Sequence, residues 1–331
     1  MILICFGTRP EYIKIKPLLK AFDGKIPYKL LFTGQHKDLL SHVKGDIRRL
    51  EIKDGKNRLD SIVSSIMNND EVFEGVSSVL VQGDTTSVFS LALAAFHRKL
   101  KVIHLEAGLR TYDLNNPYPE ELNRQMVSRI ADIHLCPTQE AYDNLIREKT
   151  LGSKFIVGNT VLDNLVGKAI SYKNKIIVTM HRRENHHNMD KWFREIDTLA
   201  QENFNLEFIL PIHPNPNVKK HEHLLKHVKV VSPMKYDEFI DELANCRFII
   251  TDSGGIQEES SFLRKKCVVC RKTTERIEGM GTFSTLVMKP EDLQDAFKWA
   301  NENYVPDDNE PCPYGDGKAS EKILDILKNE V

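Results

Sequence analysis

The segment from His104 to Glu121, HLEAGLRTYDLNNPYPEE, sets acidic residues in a loop directly behind the apolar run Lys101–Leu105. Glu106 therefore stands at the carboxyl end of an expected strand. Open α/β sheets bind their ligands at that edge, so a carboxylate there reads as chemistry before it reads as solubility. Other apolar runs end in Arg9 (MILICFGTR), Asp84 (VLVQGD), His181 (IIVTMH), His213 (FILPIH) and Asp252 (FIITD). One polar residue behind a strand is commonplace, whereas charged or imidazole groups behind six of them point to a lined cleft. Asp84, Glu106 and Glu120 make three acidic sites on neighbouring sheet edges, a usual way to move a proton or stabilise a developing cation. Singly, each has a plainer role: Asp84 caps a helix, and Glu120 and Glu121 complement a helix dipole.

Two turns are suited to phosphate. The first strand runs into Gly7-Thr-Arg-Pro-Glu-Tyr-Ile-Lys14, which lacks the G-x-G-x-x-G dinucleotide fingerprint but offers Arg9 and Lys14 near a helix start. Ordinary capping by Thr8 and Glu11 explains the same residues equally well. In Thr251-Asp-Ser-Gly-Gly-Ile-Gln-Glu-Glu259, Ser253, Gly254 and Gly255 can aim backbone amides at a diphosphate, with Glu259 farther along the helix facing ribose hydroxyls. The imidazole-rich His181–His187 lacks metal-ligand spacing, Cys267-Val-Val-Cys270 lies in an apolar run without a second pair, and Ser253 lacks the context of a hydrolase nucleophile. No metal is expected.

These residues need sheets to position them. Short β-rich runs at 1–6, 28–32, 78–82, 101–105, 132–136 and 154–157, then at 175–179, 206–211, 228–231, 247–251 and 267–270, alternate with stretches of helical period. That rhythm predicts parallel α/β sheets. A length of 331 residues favours two domains, and a fresh strand after residue 171 puts the boundary near 168, giving domains 1–168 and 169–331. Two facing Rossmann-like domains would gather the strand-end residues around one cleft. With 46 basic and 47 acidic residues and no dense basic cluster, nucleic acid is not an expected partner. No apolar run approaches membrane-spanning length and MILICF has no basic leader, so no membrane partner and a cytoplasmic location are expected. The six cysteines lie mostly in or beside apolar strands, where free thiols are expected.

Together, GTRPE at 7–11, TGQH at 33–36, GDTT at 83–86, HLEAGLRT at 104–111, PEELNR at 119–124, HRREN at 181–185, PIHPNP at 211–216, TDSGGIQEE at 251–259, TTERIEGMGT at 273–282 and PYGDG at 313–317 resemble the UDP-N-acetylglucosamine 2-epimerase family, in order, along nearly the whole chain. The resemblance implies two Rossmann-like domains in a GT-B arrangement with an inter-domain cleft, the nucleotide held mainly by the C-terminal half, and a last helix returning to the N-terminal domain. It implies interconversion of UDP-GlcNAc and UDP-ManNAc by anti elimination of UDP to 2-acetamidoglucal and re-addition, with no cofactor, as a supply of cell-surface polysaccharide precursors. Asp84, Glu106, Glu120 and His181 match the catalytic positions. Arg9, Lys14, Ser253, Gly254, Gly255 and Arg276 match the surroundings of the diphosphate, Glu259 the ribose site and Phe239 the uracil face. His213 matches a position near the nucleotide or a neighbouring effector site, to which Gln35, His36 and Arg182 also belong. A homodimer is the expected assembly.

Ile277 replaces a common proline, Lys37–Leu40 is atypical, and the chain is shorter than most members. A hydrolysing epimerase that releases ManNAc and UDP, a GT-B glycosyltransferase and a catalytically silent UDP-sugar sensor are the alternatives. The sensor predicts loss of the acidic trio, which is present.

Overall fold

A computed structural model describes residues 1–34, 43, 47–53, 55–307 and 309–330. Among them thirteen strands alternate with eleven α-helices. The strands are β1 (Ile2–Phe6), β2 (Tyr28–Phe32), β3 (Ile47–Arg49), β4 (Ser78–Gln82), β5 (Lys101–Leu105), β6 (Ile133–Cys136), β7 (Ser153–Ile156), β8 (Lys175–Thr179), β9 (Glu207–Pro211), β10 (Lys229–Val231), β11 (Phe248–Thr251), β12 (Cys267–Cys270) and β13 (Ser284–Val287). The helices are α1 (Arg9–Phe22), α2 (Arg58–Met67), α3 (Thr86–His97), α4 (Glu120–Ile130), α5 (Gln139–Arg147), α6 (Met189–Glu202), α7 (Pro216–Lys219), α8 (Tyr236–Asn245), α9 (Gly254–Phe262), α10 (Leu293–Glu302) and α11 (Ala319–Glu330).

The chain divides into two compact units, Met1–Asn164 with Gly315–Val331, and Leu165–Tyr314. In the first, seven parallel strands run in the order β3-β2-β1-β4-β5-β6-β7. Because successive side chains of a strand alternate in direction, β1 sends Leu3 and Cys5 into a core with α2 and α3. Its Ile2, Ile4 and Phe6 enter a second core with α1. Burial on both faces is why these strands read as continuous apolar runs. The C-terminal α11 adds Ile323, Leu324 and Leu327 to that second core, and Asp163 accepts the amides of Ala319 and Ser320 at 3.1 and 2.7 Å at the helix start.

In the second unit six parallel strands run β10-β9-β8-β11-β12-β13. Ile176, Val178, Phe248, Ile250 and Val268 pack with Trp192, Phe193 and Ile196 of α6 and Phe297 of α10. All six cysteines carry free thiols, five of them buried.

The sequence rhythm shows neither β3 nor β13. Both are edge strands of three and four residues, one mostly arginine, and an edge strand packed from one side does not require the apolar run that marks a central strand. The break between units falls after Asn164, where the sequence sets it near 168.

Candidate active site

The first unit assembles an acid centre on the carboxyl ends of β4 and β5. Glu106 directly follows β5 in a left-handed conformation, φ 65°. Both its carboxylate oxygens accept from Lys14 Nζ of α1 at 2.6 Å, and Gln82 Nε2, at the end of β4, donates to Oε2. Asp84 accepts from Arg124 Nε at 2.8 Å and Nη2 at 2.7 Å, while Asn123 Nδ2 donates to its carbonyl at 2.9 Å. Arg124 also meets Glu121 Oε2 at 3.3 Å. Glu120 opens α4 beside these anchors.

Glu121 is no surface dipole partner. It is fully buried and accepts the amides of Thr111 and Tyr112 at 3.0 and 3.2 Å, with Gln125 Nε2 at 2.9 Å. It thereby fixes the 106–112 loop to α4. Gly108 lets that loop lie against α5: its φ is +90°, and a Cβ there would come within 2.0 Å of the Ala141 carbonyl oxygen. Sequence alone does not separate Glu120 from Glu121, or single out Arg124, Asn123 and Gln82, because each stands where a helix start or strand end is ordinarily polar.

The first phosphate-like turn is capped internally. Thr8 and Glu11 form a capping box, and Glu11 takes the amides of Gly7 and Thr8 at 2.7 and 2.8 Å and the Thr85 hydroxyl at 2.8 Å. Burial pushes the Glu11 carboxyl up from its ordinary value, against these hydrogen bonds. Arg9 is exposed, and Lys14 serves as counter-ion to Glu106.

The start of α9 in the second unit is different. Ser253 stands at the cap but makes no side-chain cap hydrogen bond, leaving a helix start of the type that receives anions. Arg276 and Arg271, both buried, crowd it: a Cβ on Gly254 would meet Arg276 Nη1 at 2.7 Å and Arg271 Nη1 at 3.3 Å. Arg276 donates to Glu258 at 2.7 Å and pairs with Glu275, and Arg271 donates to Glu184 at 2.9 Å. Tyr314 locks the strap that carries Arg276, accepting from the Gly279 amide at 3.2 Å and donating to the Arg276 carbonyl at 3.1 Å. Glu259 accepts from the Tyr236 hydroxyl at 2.8 Å.

Asp252, expected to line a cleft, is instead fully buried. It accepts the amides of His181 at 2.9 Å and Arg182 at 2.8 Å, and Asn185 Nδ2 at 3.2 Å, so it holds the loop that presents His181. His181 Nδ1 lies 3.7 Å from Asp252, beyond hydrogen-bond range, and stacks on His213 with centroids 5.3 Å apart. Desolvation lowers the His181 pKa against the opposing pull of Asp252, which favours a neutral imidazole. His213 is exposed and accepts the Asn215 amide on Nδ1 at 3.1 Å, leaving Nε2 as its donor. Beside it a cavity of about 260 Å³ is lined by Ile212, Pro214, Lys219, Glu222 and the segment 230–233. Phe239, half-buried on α8, is not among the lining residues. Gln35 and His36 lie outside the described residues. Among the described residues no group of three His, Cys, Asp or Glu side chains is placed to hold a metal ion.

Two parallel-sheet Rossmann-like units, one with carboxylates at its strand ends and one with arginines around an uncapped helix start, define a protein of the GT-B fold class. The model of the UDP-N-acetylglucosamine 2-epimerase family matches residues 20–328, and the chain belongs to that family. It is 38% identical to the UDP-N-acetylglucosamine 2-epimerase of Salmonella borreze, across 98% of this chain and 97% of that protein. It is 36% identical to that of Campylobacter jejuni, with the same coverage. The UDP-GlcNAc 2-epimerase of Neisseria meningitidis, solved bound to UDP-GlcNAc, superposes with a TM-score of 0.86 at 32% identity, covering 99% of both chains.

Proposed function

We propose that this enzyme interconverts UDP-GlcNAc and UDP-ManNAc by eliminating and re-adding UDP. The C2 hydrogen of the sugar is a poor acid, so its removal needs concerted departure of the diphosphate from C1. A carboxylate takes the C2 proton, the C1–O bond breaks with its electron pair going to UDP, and a C1=C2 double bond forms in 2-acetamidoglucal. Re-addition of UDP at C1, with a proton delivered to the other face of C2, gives the epimer. Carbon undergoes no net oxidation, so the balance closes on acid–base groups alone.

The single observation that carries this reading is the acid centre: Glu106 held by Lys14 and Gln82, with Asp84 held by Arg124, on adjacent strand ends. Glu106 and Glu120 share the base and acid duties on C2, and Asp84 orients the sugar and stabilises positive charge near C1. His181, neutral, donates a hydrogen bond to the departing diphosphate. Ser253, Gly254 and Gly255 offer amides to that diphosphate and Arg276 its charge. Glu259 takes the ribose, Phe239 the uracil face, and His213 lies near the nucleotide. Lys14 acts first on Glu106, and Arg9 meets the ligand from solvent.

Incubation with UDP-GlcNAc in deuterated water tests this. UDP-ManNAc carrying deuterium at C2 is expected. Free ManNAc with UDP would establish the hydrolysing alternative, and a product that keeps its original C2 hydrogen would overturn the elimination.

No helix among the described residues is long and apolar enough to cross a membrane; the cytoplasmic location proposed here rests on the nucleotide-sugar substrate. A homodimer is supported by Leu122 and Met126, one turn apart on α4 and both exposed at 45% and 44%, an apolar pair of the kind isologous interfaces cover. Sedimentation of the Leu122→Glu, Met126→Glu double variant as a monomer is expected; an unchanged dimer would place the interface elsewhere.

A further inference from the structure

Two buried histidines take no part in the chemistry above. His104 of β5 and His134 of β6 are register partners on adjacent strands and both are fully buried. Each points Nε2 at a loop carbonyl, His104 at Gly83 O at 2.8 Å and His134 at Leu151 O at 2.9 Å. A carbonyl oxygen only accepts, so Nε2 carries the proton in both rings. Nδ1 of both rings is buried without a hydrogen-bond partner, a tolerable state for a lone pair and a costly one for an N–H. Burial pushes both pKa values down to about 4, which keeps the rings neutral.

The two carbonyls lead to different places. Leu151 lies in the exposed turn before β7. Gly83 sits between Gln82, which donates to Glu106, and Asp84, which pairs with Arg124. Gly83 has φ +79°, and its own amide donates to Leu105 O at 3.0 Å. Its N–H and C=O are thus both tied to β5, one through backbone and one through the His104 ring.

We propose that His104 is a positioning residue for the reaction: its Nε2–H bond to the Gly83 carbonyl sets the plane of the Gly83–Asp84 peptide, and so aims Asp84 and Gln82. This rests on the function proposed above. His104 is buried and touches no substrate, so it acts through that peptide alone. His134 is a built-in control, with the same ring, the same burial and the same type of bond to a turn without catalytic groups.

The test compares His104→Phe, His104→Gln and His134→Phe in the full chain. Wild-type turnover, measured first, tests the functional proposal alone; the ratio between variants tests His104 alone. His104→Phe should lower kcat roughly tenfold or more, in line with the cost of small misplacements in an active site. KM should change little, and C2 deuterium exchange should fall in step with kcat. His104→Gln, which retains a donor, should recover most of the loss. His134→Phe should lose comparable thermal stability yet keep kcat within about twofold, since it touches no catalytic group. A His104→Phe enzyme with near-normal kcat, or equal loss in both Phe variants, overturns the proposal. Should the Phe variants fail to fold, nitrogen-15 NMR of the wild type decides: a proton on His104 Nε2 with a bare Nδ1 supports it, and the opposite tautomer overturns it.

Discussion

Glu106 occupies a left-handed backbone conformation that costs a non-glycine residue about 1–2 kcal/mol. It is retained because Lys14 and Gln82 hold its carboxylate from α1 and β4. Such strain is a recurrent mark of functional positions. Glu106→Gln, Glu120→Gln, Asp84→Asn and His181→Asn should each lower turnover by roughly 100-fold or more, the usual scale for losing a proton-transfer or charge-stabilising group. UDP affinity, read by calorimetry, should change far less. Near-normal turnover in both glutamine variants would return these carboxylates to capping and solubility roles. Glu106 is legible in the sequence because it follows an apolar run directly. Its partners are not legible: Lys14 is 92 residues away in sequence and Gln82 is 24 away, and no local pattern encodes a pairing at that separation.

Among elements, the starts of α1 and α9 show how similar sequences differ in use. Each is a small polar turn behind an apolar strand. At α1 the glutamate at the third helical position folds back to fill the turn's amides. At α9 glycines replace that device and buried arginines gather instead. The T-x-x-E spacing made capping readable at the first turn, whereas Arg276 comes from a distant strap and was legible only through the family resemblance, and Arg271, directly behind β12, was not singled out at all. Gly254→Ala must displace Arg276 or Arg271, so UDP affinity should fall about tenfold or more, a loss of the size expected for a displaced charge-assisted contact. Unchanged affinity by calorimetry would remove α9 from the nucleotide site. Gly108→Ala, which meets immovable backbone, should instead act on folding, costing more than about 2 kcal/mol in urea denaturation.

For the whole molecule, the sheets were legible because buried parallel strands are continuous apolar runs; β3 (IRR) and β13 (STLV) were not, being edge strands that carry no such run, unlike the edge strands β7 and β10. The buried histidines also set a pH response. Their pKa values fall from 6.5 to about 4 on folding, so below pH 6.5 the unfolded chain binds protons that the folded chain refuses. Stability should therefore drop between pH 6.5 and about 4, by up to ~3 kcal/mol per ring, and His134→Phe should flatten that drop in urea titrations at pH 7.5, 6 and 5. A variant with the same pH slope as wild type would show that His134 titrates normally. Kinetics should be hyperbolic in both directions, since Lys37–Leu40 departs from the family pattern beside the effector residues. A reverse reaction that stays silent until a trace of UDP-GlcNAc is added would contradict this.

The placement of α11 with β1 and α1 has a consequence for biosynthesis. The second unit is an insertion within the first, which is closed by residues 315–331. As the chain leaves the ribosome, Leu165–Tyr314 can finish folding while the earlier unit still lacks its final helix, with Ile15, Leu18 and Phe22 awaiting the cover that Ile323, Leu324 and Leu327 provide. The amino-terminal half is thus made first and completed last. Until α11 is added, the apolar side of α1 lacks its cover, and uncovered apolar surface of this kind is what chaperones bind and what aggregates when it stays exposed.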